Sequence, residues 1–190
     1  MRAAGLASVV YYYFNFWDVE KRNYRGLLSS LLVQPVAESD SCHEILFRFY
    51  AAYAHGARKP TDDALMHCLK DMLEQHRQLT YIVIDAIDEC SNTSGFPTPR
   101  EDVLEFLEGL INLQLPHLRI CIASRPEVDI RDMLEPLTPL QVSLHEESGQ
   151  RKDILDYITK VVRTDKHMRN WNEEDKLIVI KIVAETSDGM

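Results

Sequence analysis

The stretch "YIVIDAIDEC", residues 81–90, places the tightest constraint on the fold. Tyr81, Ile82, Val83 and Ile84 suit a strand interior, and the run does not alternate between apolar and polar. A strand of that kind is buried on both faces, which is the condition of a parallel sheet. Asp85, Asp88 and Glu89 then arrive within five positions. In open parallel sheets, ligands gather at the carboxyl ends of the strands. An apolar strand running into acid there resembles a rigid post with a polar tip. Such a tip can hold a hydrated magnesium ion through Asp85, because magnesium takes one or two carboxylates and completes its shell with water and phosphate. Glu89 is placed to orient or deprotonate a water, with Asp88 in support. The plainer reading is that these acids form a turn or a helix cap.

The rest of the chain supplies what a parallel sheet needs. Val9 to Phe16 forms a first strand candidate, Tyr81 to Asp85 a second, Arg119 to Ser124 a third, and "LQVSLH", residues 140–145, a fourth. Between them the apolar residues fall at helical spacing. Leu27, Leu28, Leu31 and Leu32 share one face of a helix that Pro35 ends. Ser41 and Glu44 have capping-box spacing before Ile45, Leu46, Phe49 and Tyr53. Thr61 can cap a helix with the stripe Leu65, Cys68, Leu69, Met72 and Leu73. Thr98 and Glu101 form a second capping box, with Pro99 at the first helical position. Two more helices span about Ser148 to Arg163 and Glu173 to Glu185. Strands alternating with helices imply a parallel sheet with helices on both faces. A boundary is expected near Glu135 to Pro139, dividing a core of residues 1–139 from residues 140–190, which hold the last strand and the start of the following helical region.

"ASRP" sharpens the reading of the acidic tip. Ser124 and Arg125 also end a buried strand. If that strand lies beside the acidic one, both ends face one crevice, where a guanidinium can grip phosphate oxygens. The alternative is a surface arginine paired with Glu127 or Asp129.

Composition narrows the function classes. A net charge of -9 over 190 residues argues against nucleic-acid binding, which needs clustered Lys and Arg. It leaves room for a small nucleotide, whose charge a metal and backbone amides can meet. Cys42, Cys68, Cys90 and Cys121 contain no CxxC and read as reduced thiols of a cytoplasmic protein. Cys42, His43, His67, Cys68 and His76 lack any recognised zinc spacing. The segment "VVYYYFNF" suits a buried strand better than a signal peptide, and no run is long enough to cross a membrane.

The segments "YYYFNFWDVEKRNYRGLLSSLLVQ", "YIVIDAIDEC", "LRICIASRPEVDI" and "ETSDGM" together resemble the NACHT group of signal-transduction P-loop NTPases. The likeness is to the branch common in filamentous fungi and described as nephrocystin-like. "IDAIDEC" resembles that family's Walker B segment, and "IASRP" its sensor strand. The resemblance implies an α/β, three-layer P-loop fold and a nucleotide-driven switch using Mg2+ with ATP or GTP. It assigns Asp85 to magnesium, Asp88 and Glu89 to a catalytic acidic pair, and Ser124 and Arg125 to the bound phosphate. "DGM" resembles the start of the helical region that follows the core.

The sequence departs from that family at one point. The phosphate loop GxxxxGK[ST] is missing, and no Gly is followed by Lys. The match begins at what would be the family's second strand, so the first strand and its phosphate loop are expected to be absent. By resemblance, that strand lies beside the sensor strand, and its loss bares an edge prone to pairing with another chain. The leading expectation is therefore a partial NACHT module that does not hydrolyse nucleotide alone. The alternative is a non-catalytic interaction module that self-associates or joins intact NACHT proteins. A third reading, a metal-dependent phosphatase or nuclease built on Asp85, Asp88 and Glu89, fits less well. Such sites usually draw acids from several strand ends, and the neighbouring candidate ends in Ser-Arg.

Overall fold

The computed structural model describes residues 7–93, 95–143 and 148–186. The chain separates into two units, Met1–Thr138 and Pro139–Met190.

The first unit is an α/β body around a three-stranded parallel sheet of order β1-β2-β3. The strands are β1 (Ser8–Tyr13), β2 (Thr80–Asp85) and β3 (Leu118–Ile122). Helices α1 (Tyr24–Val33), α2 (Asp40–Ala52) and α3 (Asp62–Gln75) connect β1 to β2; α4 (Pro99–Asn112) connects β2 to β3, and α5 (Val128–Leu134) follows. Ser8 pairs with Thr80 and Thr80 with Leu118, so even-numbered residues of all three strands share one face. That face is the core: Ser8, Val10, Tyr12, Thr80, Ile82, Ile84 and Leu118 are buried, joined by the stripes of α1, α3 and α4. The odd-numbered face is far more open, with Tyr11, Tyr13, Arg119 and Cys121 exposed. The topology explains this asymmetry. Strands added in one direction, each through a right-handed crossover, bring their connecting helices to the same side. Among the described residues of this unit, the expected helical layers on both faces are met on one.

Local signals set most element ends. Thr61 Oγ1 accepts from Ala64 N–H, and Thr98 and Glu101 form the full reciprocal capping box behind Pro99. At α2 the cap differs from the expected Ser41–Glu44 box. Ser39 is the cap and accepts from Cys42 N–H, while the Ser41 hydroxyl bonds Ser39 Oγ. Both serines precede the same apolar face, and the earlier one wins because Asp40 already enters the helix with its charge in the first turn. The expected fourth strand is also corrected. Residues 140–143 carry no regular structure, Leu140 and Val142 are exposed, and residues 144 and 145 lie outside the described residues. A strand needs a neighbour for its backbone groups, and residues 140–143 pair with none among the described residues.

The second unit contains α6 (Ser148–Thr164) and α7 (Glu173–Thr186), closed by Ile158, Val162 and Ile180 with Ile154, Met168 and Val179. The "DGM" segment lies outside the described residues. No described helix is long and apolar enough to cross a membrane.

Candidate functional site at the strand ends

The acidic tip of β2 divides its three carboxylates among different tasks. Ala86 follows Asp85 in the left-handed region, at φ 56° and ψ 48°. That conformation is costly for a residue with a Cβ, and it breaks the strand sharply. A 3-10 turn, Ile87–Glu89, comes next and drives Ile87 fully into the core. With Ile87 as the plug, Asp88 and Glu89 are thrown to opposite neighbours.

Asp88 reaches the end of β3. Its Oδ1 accepts from Ser124 Oγ at 3.2 Å and from the Arg125 backbone N–H at 3.1 Å. Its Oδ2 lies 3.5 Å from Arg125 Nε, and the Asp88 side chain is only 8% exposed. Glu89 reaches the loop after β1, where Oε2 accepts from Phe16 N–H at 3.0 Å. Asp85 stays at the strand end, half-buried, and among the described residues no hydrogen bond or ion pair engages its carboxylate. Of the five residues singled out in the sequence, Asp88, Ser124 and Arg125 form one cluster, Glu89 is tied elsewhere, and Asp85 is unengaged. The Arg125 side chain is 67% exposed, so its guanidinium faces solvent while its backbone is pinned.

The expected alternative for Arg125, pairing with Glu127 or Asp129, is not what is found. Those two acids serve Arg100 in the first turn of α4, a residue that no motif in the sequence singles out. Arg100 is 5% exposed. Its guanidinium donates to the carbonyls of Asp88 (2.6 Å) and Cys90 (3.1 and 3.2 Å), pairs closely with Glu127, and lies 3.2 Å from Asp129 Oδ2. Burial opposes its charge, but the bonds and charges of Glu127 and Asp129 outweigh that and raise its pKa overall. Burial likewise pushes the neighbouring Cys90 thiol up to about 11, partly countered by Arg100. Arg100 thus fixes the acidic turn from behind. The signal available was the pair Glu127 and Asp129 close after "SRP", two acids waiting for a cation.

The residues present fit a magnesium nucleotide in part. Asp85 offers one free carboxylate, and no group of three or more His, Cys, Asp or Glu among the described residues is placed to hold a metal. A magnesium ion there would depend on phosphate and water for its remaining ligands. A separate apolar groove of about 370 Å³ lies between Phe47, Tyr50, Tyr53 and Arg58 and shares no residue with the strand ends.

The family model for nephrocystin 3, N-terminal, matches residues 1–125, which covers β1 through the Ser124–Arg125 pair. The chain belongs to the nephrocystin 3 N-terminal family. No curated protein and no solved structure matches it. The matched span ends where the cluster does, so all five strand-end residues fall within the nephrocystin 3 N-terminal region.

Proposed function

We propose that this chain is a NACHT-type signalling module, linked to ATP or GTP, that responds to nucleotide without hydrolysing it alone. The observation that supports this reading most is the pairing of Asp88 with Ser124 and Arg125. An exposed guanidinium held 3.5 Å from a carboxylate is a contact that an arriving phosphate can compete for, since arginine binds both groups with the same fork. Asp85 would hold magnesium, and Arg125 would meet the terminal phosphate. A bound magnesium supplies charge neutralisation of the phosphate oxygens. Asp88 and Glu89, assigned to catalysis by resemblance, act here chiefly as staples between strand ends. No GxxxxGK[ST] cradle occurs in the sequence, which removes the main source of phosphate affinity.

The test combines phosphate release with isothermal titration of magnesium-ATP and magnesium-GTP. Expected are no release above buffer and weak, millimolar binding that falls in Arg125→Ala and Asp85→Ala. Turnover abolished by Glu89→Gln would show an enzyme instead, and no nucleotide response at any attainable concentration would refute the reading.

A second reading, a module that assembles without nucleotide, is favoured by one separate observation. Among the described residues, the outward backbone groups of Ile120 and Ile122 on β3 make no hydrogen bond.

A further inference from the structure

Helix α2 carries more apolar surface than its core-facing stripe requires. Cys42, Ile45, Leu46 and Phe49 pack on the core at helical spacing, whereas Phe47 and Tyr50 extend the apolar surface outward and are 59% and 48% exposed. The chain then folds back against this face. Ala54, His55 and Gly56 follow in succession at φ 51°, 53° and 89°, a left-handed run that residues with a Cβ rarely adopt. Such conformations persist where the surroundings over-determine them, and they gather at ligand-binding segments. Here the Tyr53 carbonyl accepts from both Gly56 N–H (3.1 Å) and Arg58 N–H (3.2 Å). Gly56 lies against Tyr50, where a Cβ would stand 3.2 Å from the ring. His55 meets the same ring edge-on, with centroids 5.6 Å apart.

This fold-back shapes the groove of about 370 Å³ and sets one cation on it. Half-buried Leu46, Phe49 and Tyr53 line it together with exposed Phe47, Tyr50 and Arg58. Arg58 Nη2 donates to the Ala52 carbonyl at 2.8 Å, which anchors the guanidinium at the end of α2. Among the described residues no carboxylate pairs with Arg58, and no Asp or Glu lines the groove. The flanking charge has the same sign. Residues 41–60 hold Arg48, Arg58 and Lys59 against one acid, Glu44, which pairs with Arg48 at 2.7 Å. An excess of positive charge here stands out in a chain of net charge -9.

From this arrangement we infer that the groove beside α2 binds a small aromatic carboxylate, with its ring against Phe47 and Tyr50 and its acid on Arg58. The lining has the make-up of a small-molecule site: apolar and aromatic walls with few polar groups to fix orientation, in a cleft of roughly 300–1,000 Å³. At roughly 30 Å³ for each water-sized volume, the groove holds about a dozen non-hydrogen atoms. That is one ring system and its acid, whereas a protein partner needs a face of roughly 800 Å². Rings on the walls favour a ring in the ligand, through offset or edge-on contacts. A single lining guanidinium calls for a singly charged anion, and its fork matches a carboxylate. The inference stands apart from the nucleotide reading, because the groove shares no residue with the strand ends.

The test titrates 2-naphthoate into the full 190-residue chain by isothermal calorimetry, with uncharged 2-naphthylmethanol as the matched control. Expected is one site with Kd near or below about 1 mM, and at least about tenfold weaker binding of the alcohol. Arg58→Gln should weaken naphthoate at least about tenfold while leaving the alcohol unchanged. Phe47→Ala should weaken both. Both side chains are exposed, so the urea midpoints of the two variants should match that of the parent chain. Naphthoate binding that persists in Asp85→Ala and beside magnesium-ATP would support the groove whatever becomes of the nucleotide reading. Displacement by magnesium-ATP would move the acid to the strand ends and overturn the inference. So would equal binding of acid and alcohol, binding indifferent to Arg58→Gln, or no binding up to the solubility limit. Self-association of the parent chain that Phe47→Ala abolishes would give the groove to a second copy, and would equally overturn it.

Discussion

At the residue scale, acids of one short motif do unequal work, and their removal should show it. Asp88 bonds Ser124 and Arg125 from an 8% exposed position, whereas Asp85 is unengaged. Asp88→Ala should cost about 1–3 kcal/mol, because it removes the two charge-assisted hydrogen bonds that this buried carboxylate accepts. Asp85→Ala should stay within about 0.5 kcal/mol. Urea unfolding curves of the two variants decide this, and equal losses would contradict the division of labour. A second prediction concerns pH. His76 is buried at the end of α3, its Nε2 lacks a hydrogen-bond partner, and its pKa is lowered by burial and by His117, opposed by Glu38. The folded state resists protonating it more than the unfolded chain does. Stability is therefore present above the ordinary histidine value of 6.5 and declines as pH falls from there through the depressed folded value. Urea midpoints should drop between neutral and mildly acid pH, and His76→Gln should flatten that part of the profile. At this scale the sequence was legible where a residue type has few alternatives. Asp85, Asp88 and Arg125 stood out because charge rarely follows an apolar strand so closely. Arg100 did not, because arginine on the first turn of a helix is normally solvated, and only the fold reveals that it turns inward.

At the element scale, the close approach of α1 to the preceding loop gives a sharp test. Gly26 lies where a Cβ would stand 2.1 Å from the Glu20 carbonyl oxygen and 2.7 Å from Tyr12 Oη. The obstacle is backbone, so the helix itself must move. Gly26→Ala, usually favourable inside a helix, should here lower stability by about 1–3 kcal/mol, as overpacking does. A stabilised Gly26→Ala variant would mean that α1 does not sit against Glu20. The helices were legible because their leucine stripes and caps are local signals: Leu27 to Leu32, the α3 stripe and the Thr98–Glu101 box all reappear. The failures have equally local causes. Ser39 and Ser41 offer the same chemistry two residues apart, so spacing alone cannot rank them. "LQVSLH" has strand-like residues, but strand formation depends on a partner that no local pattern supplies. Burial on a single sheet face was also hidden, because it follows from strand order.

At the scale of the whole molecule, one acidic turn draws the strand ends of the sheet together. The same turn joins stability to the proposed function, because Asp88 holds Arg125 where a phosphate would compete for it. Alignment of β2 beside β3 was expected only conditionally from "YIVIDAIDEC" and "RICIAS", and the observed parallel register supplies it. The most direct test follows the side-chain Nε signals of Arg125 and Arg100 by NMR while magnesium-ATP is titrated into the protein. The account predicts that Arg125 moves progressively in the millimolar range, that buried Arg100 stays in place, and that Asp85→Ala weakens the response. An Arg125 signal that never moves while magnesium-ATP binds elsewhere on the chain would contradict it.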